Sequence, residues 1–143
     1  MSVDRSFRVP QGIIAGLALL FVVAGCGPSQ SGPKRYPVSG TVTFNRKPVP
    51  KGFITLEPSI EQGNSGPGGG AEIVNGKYDT TLEQGVVGGA YKVRIVGTDG
   101  VPATIEGETL ADGQPLFEPY ETTVEFPLEK TVKDFEVGKP APQ

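Results

Sequence analysis

The chain of 143 residues has no histidine, no tryptophan, a single methionine and a single cysteine, Cys26. Without histidine the commonest general base is missing, as are the usual zinc ligand and every Ser-His or Cys-His arrangement. One thiol cannot form an internal disulfide, so any folded unit must stand on its hydrophobic core. No G-x-S-x-G elbow and no phosphate-binding P-loop occurs. Long helices after residue 26 are excluded by punctuation, since 21 glycines and 14 prolines leave no open window. A net charge of −3 gives no electrostatic reason to bind nucleic acid or an anionic bilayer. These absences predict a protein that is not an enzyme and carries no cofactor.

What is present begins at the N-terminus. Arg5 and Arg8 stand against a single Asp4, residues 13–24 are apolar apart from one glycine, and Ala24 and Gly25 lead into Cys26. A positive start, a short apolar stretch and a small-residue exit make a secretory signal, too short for a spanning helix of ~20 residues. The run Val23-Ala24-Gly25-Cys26 resembles the bacterial lipobox. That resemblance implies cleavage after Gly25, so that 1–25 is a signal helix and peptide, and acylation (palmitate among the chains) of Cys26. It also implies membrane attachment through several acyl chains, because one alone holds weakly, at ~0.8 kcal/mol per buried methylene. Gly27 follows the cysteine where some lipoproteins carry an inner-membrane retention Asp, which favours the outer membrane of the cell envelope.

Residues 26–35 comprise the lipidated cysteine and a stretch of glycine, proline and serine with no bulky apolar side chain, the composition of a flexible tether. The final residues, 139–143, read as a disordered tail. Between them, 36–138 is one domain. Apolar residues there recur at period two: Val38, Val42 and Phe44; Ile54 and Leu56; Tyr91, Val93 and Ile95; Val124 and Phe126; Phe135 and Val137. Strands with one apolar and one polar face predict antiparallel sheets packed face to face. Asn75-Gly76, between Ile73-Val74 and Lys77-Tyr78, is a type I′ hairpin signal. About seven short strands separated by turns predict an all-β fold, a single immunoglobulin-like antiparallel β-sandwich.

Two further segments carry a resemblance. Val38-Ser39-Gly40-Thr41-Val42 followed by Lys47-Pro48-Val49-Pro50-Lys51-Gly52, and Asn75-Gly76-Lys77-Tyr78 followed by Gly88-Gly89-Ala90-Tyr91-Lys92-Val93, are similar to carboxypeptidase regulatory-like, or transthyretin-like, domains. Asn75 stands where that family often has Asp, a substitution suited to a turn. The resemblance implies a transthyretin-like sandwich and no peptidase activity, because the shared positions are turn glycines and core tyrosines.

Candidate sites are few. In a two-residue hairpin at Asn75-Gly76, Glu72 would lie opposite Asp79; with Asp99 and Asp112 these carboxylates form a weak calcium alternative, calcium taking six to eight oxygens. The competing reading places all four on the solvated surface or in turns, with no metal. Residues 63–70 (GNSGPGGG) read as a flexible loop between strands, since neither Lys-Ser/Thr nor a helix follows. The connection 98–121 is long for a structureless loop, and Thr104–Thr109 is a candidate extra strand. Within it Leu116, Phe117 and Tyr120 either cap one end of the core or form a patch that grips a partner.

The expectation is a non-enzymatic cell-envelope lipoprotein presenting a β-sandwich interaction or structural module, with an envelope protein or polysaccharide as partner. The alternative is a carbohydrate- or peptide-binding module of a surface nutrient-handling system.

Overall fold

The period-two segments all become strands in the computed structural model, which describes residues 32–138. The signal segment 1–25, Cys26 with the first tether residues, and the tail 139–143 lie outside the described residues. The described part is all-β, with eleven strands: β1 (Val38–Phe44), β2 (Lys47–Pro48), β3 (Lys51–Pro58), β4 (Gly69–Val74), β5 (Lys77–Asp79), β6 (Gly89–Thr98), β7 (Ala103–Ile105), β8 (Glu108–Leu110), β9 (Tyr120–Phe126), β10 (Thr131–Val132) and β11 (Phe135–Val137). That exceeds the expected seven because six of them are only two or three residues long, and of these alternation marked only β11, through Phe135 and Val137.

The principal sheet runs β10-β1-β5-β4-β3-β6-β9, with β2 and β11 also paired to β1. Its pairings are antiparallel except the last two strands, which lie parallel to β1. That exception is a correction to a purely antiparallel expectation, and it arises because the chain leaves β9 and crosses to the far side of the sheet. Strand β1 holds the arrangement together. Its first half pairs β5 and β10, its second half β2 and β11.

The sheet curls. Strands β1 and β6 are separated in the order by β5, β4 and β3, so a flat sheet would hold them nearly 20 Å apart at ~4.8 Å per strand. Yet Val49, whose N–H donates to the Val42 carbonyl at 3.1 Å, lies directly against Gly97 of β6. The alternating apolar residues meet inside the curl: Val38, Val42, Ile54, Leu56, Tyr91, Val93 and Ile95 are all fully buried in one cluster with Phe126, Phe135 and Val137. Burial of each such side chain is worth roughly 1.5–3 kcal/mol, which is how a domain without staples holds together.

The joint of the curl is the Asn75-Gly76 hairpin. Both residues take positive φ, 50° and 74°, as a type I′ turn demands. The ladder between β4 and β5 closes with Val74↔Lys77 and goes no further. Beyond it β4 follows β3 and β5 follows β1, so Glu72 comes opposite Phe53 and Asp79 opposite Ser39. The expected apposition of Glu72 and Asp79 therefore does not form. The hairpin tip explains why: Asn75 and Gly76 donate to the carbonyls of Pro50 and Val49, and Val42 donates to Gly76. The tip is thus stitched to both sides of the curl while its two strands diverge.

Candidate functional site

Attachment of the N-terminal segment begins one residue before the expected domain boundary. The Arg35 guanidinium donates to the carbonyls of Gly68 and Gly85, at 3.0 and 3.1 Å. Tyr36 and Val86 exchange backbone hydrogen bonds, and the Lys34 ammonium sits 5.1 Å from the Tyr36 ring centre. Cys26 itself lies outside the described residues. Among the described residues no helix is long and apolar enough to cross a membrane.

The segment 98–121 is ordered by short elements rather than structureless. Strands β7 and β8 form a hairpin over Thr104–Thr109, turned by Glu106 and Gly107 at φ 51° and 87°. The single strand expected there is thus two. Asp99 Oδ1 accepts the N–H groups of Val101 and Gln114, and the Asp99 and Leu116 N–H groups donate to Gln114 and Gly97. This returns the chain so that Leu116, Phe117 and Tyr120 pack, half-buried, against the core. The Phe117 ring lies 5.2 Å from that of Phe44. This packing accords with the cap, and the part of each side chain left exposed keeps it available to a partner.

The four carboxylates weighed for calcium are not brought together. Asp99 is occupied in its turn, Asp112 pairs with the Lys51 ammonium at 2.7 Å, and Glu72 and Asp79 lie on different strand pairs. Hydrogen bonding and charge from Asp112 raise the Lys51 pKa. Among the described residues no group of three or more acidic or cysteine side chains could hold a metal ion.

The glycine-rich stretch 63–70 is tied down, contrary to the expectation of a flexible loop. Asn64 does it: its amide donates to the Gly88 and Ala90 carbonyls at 3.2 and 2.9 Å, and its Oδ1 accepts the Gly66 N–H. The buried Tyr91 hydroxyl completes the tie, accepting from the Val87 N–H and donating to the Pro67 carbonyl. The short Asn-Ser-Gly run was the available signal, since asparagine bonds the backbone two residues on. Gly69 and Gly70 then enter β4.

At the other end of the chain, the buried Tyr78 hydroxyl donates to the Lys133 carbonyl at 2.6 Å, and burial pushes its pKa up. Asp134, beside it, accepts the backbone N–H and the hydroxyl of Thr41, which hold its carboxyl below the usual range. No pattern in the sequence marked Asn64 or Asp134 as partners of residues so distant in the chain.

One margin of the principal sheet is left unpaired. Strand β9 ends the sheet order, and among the described residues nothing pairs its outer side. Beside it on the outward face is an open groove of about 430 Å³ lined by Glu57, Glu61, Lys92, Glu121 and Thr123 among others. Lys92 and Glu121 approach to 3.1 Å across it. No family model, no curated protein and no solved structure matches the chain.

Proposed function

We propose that this chain is a non-enzymatic lipoprotein of the bacterial cell envelope, its transthyretin-like β-sandwich held near the membrane as an interaction module. The Val23-Ala24-Gly25-Cys26 run at the end of a short apolar stretch carries the reading. Acylated Cys26 provides the membrane attachment, favouring the outer membrane because Gly27 follows it. The curl of the sheet over a single core supports the sandwich.

The peptide-binding form of the alternative is favoured over the carbohydrate form by two observations. Tyr78 and Tyr91, which a sugar platform would need exposed, are 3% and 0% accessible, and the long strand β9 leaves one sheet edge open. An open edge offers an extended peptide backbone hydrogen bonds.

The test is cross-linking mass spectrometry on the lipidated protein in its own envelope. A single recurrent partner, linked at one face, is the expected result. Only scattered, abundant neighbours, together with catalytic turnover by the purified chain, would overturn the reading.

A further inference from the structure

The two margins of the principal sheet are finished differently. On the β1 side, β10 and β11 are two and three residues long and interrupted by Lys133-Asp134, the short broken pieces that blunt an edge. On the other side β9 runs for seven residues without proline, paired to β6 along its whole length from Tyr120 to Phe126. A regular strand with its outer backbone groups unpaired is a template for one more strand.

The side chains of β9 select what can add there. Glu121, Thr123 and Glu125 stand exposed on the outward face, while Tyr120, Val124 and Phe126 pack on the core. A second copy pairing symmetrically about Thr123 would set Glu121 against Glu125 of its mate twice over. Like charges directly opposite are destabilising, so self-association through this edge is opposed. Glu121 is already met by Lys92 at 3.1 Å and Arg94 at 4.0 Å, yet the surroundings stay acidic: Glu57 and Glu61 of the adjoining groove, with Glu121 and Glu125, make four carboxylates against those two cations.

We infer that the open edge of β9 is the docking site for an extended basic peptide segment of a protein partner, added antiparallel to β9 with two Lys or Arg four residues apart opposite Glu121 and Glu125. Backbone hydrogen bonds supply the pairing, and the carboxylates set register and sign. The intervening outward residue lies opposite Thr123, and a long cationic side chain on that face reaches the groove. This inference rests on the interaction-module reading and names the partner's chemistry.

The probe is the capped peptide Val-Lys-Val-Thr-Val-Lys-Val, titrated into the full chain and followed by amide chemical shifts. Saturable binding with shifts concentrated on β9 is expected. Two versions of the peptide, N-methylated at alternate residues, must differ: the one whose methyl groups point at β9 loses binding and the other keeps it. Glu125→Lys weakens the lysine peptide by roughly fivefold, the scale of an exposed ion pair, and strengthens the corresponding glutamate peptide. Failure of the lysine peptide to bind, equal binding of both methylated forms, or a dimer of the free chain joined through β9 would each overturn the assignment. If cross-linking in the envelope finds a recurrent partner on another face, the interaction-module reading stands and only the β9 assignment falls.

Discussion

Asp134 Oδ1 accepts the backbone N–H of Thr41 at 2.7 Å and the Thr41 hydroxyl at 2.8 Å, two bonds that join the link between β10 and β11 to the first strand. The neighbouring Lys133 takes part as well, its N–H donating to Ser39 and its carbonyl accepting from Tyr78. Through these bonds β10 and β11 are held parallel to β1, and Phe135 and Val137 are delivered into the core.

Because both bonds favour the charged carboxylate, the Asp134 pKa is lowered, and its contribution has a definite sign with pH. Stabilisation is fully present above the unfolded carboxyl pKa of about 3.9 and is lost as pH falls through the lower folded value. Thermal unfolding from pH 6 downward should therefore show an acid limb that Asp134→Asn flattens, with a lower melting temperature at neutral pH. An unchanged acid limb in the variant would show that Asp134 does not carry it.

Phe117 and Gly97 form a coupled pair. A Cβ on Gly97 would stand 2.8 Å from the Phe117 ring and 2.7 Å from Val49 Cγ1. Phe117→Ala should lower unfolding free energy by about 2–3 kcal/mol, since the ring is half-buried against Phe44. Gly97→Ala should cost about 1–3 kcal/mol through overpacking. The double variant should lose less than the sum, because removing the ring vacates part of the space the new methyl needs. Denaturant unfolding of the four proteins measures the cycle. A Phe117→Ala protein as stable as its parent would return this residue to the role of an exposed binding anchor.

Asn64 holds the glycine-rich stretch by three hydrogen bonds. Asn64→Ala should destabilise the domain by about 1–3 kcal/mol, the cost of removing the side-chain partner of the Gly88 carbonyl and the Gly66 N–H; the Ala90 carbonyl keeps its bond from the Ser59 N–H. Amide exchange should quicken at Gly66 and at the Pro58–Tyr91 end of the β3–β6 ladder, which adjoins the tie through Ala90, while the far end around Lys51 and Thr98 keeps its protection.

The period-two pattern made the long strands legible, because the burial of Val93 and Ile95 against exposed Lys92 and Arg94 is a local property of one strand in a half-buried sheet. Asn75-Gly76 was legible for the same reason: a type I′ turn depends on its own two residues. What lay beyond that turn was not. The divergence of β4 from β5 depends on Val49 and Pro50 accepting from the turn, a contact about 25 residues away that no local spacing encodes. Likewise the β7–β8 turn uses Glu106, which carries no turn signal of its own and reaches φ 51° only with Gly107 beside it. The sides of the sheet were equally hidden. That β9, with Glu121 and Glu125, ends the strand order is set by pairings across the whole sheet, which no local spacing encodes.

The most direct test of the account is the mass of the N-terminal peptide of the protein isolated from its own cells. A peptide that begins at Cys26 and carries a diacylglyceryl group and further acyl chains is the result the account predicts, with Cys26→Ala leaving an uncleaved, unacylated chain. A chain that begins elsewhere with a free Cys26 thiol would contradict it and remove the membrane from the function.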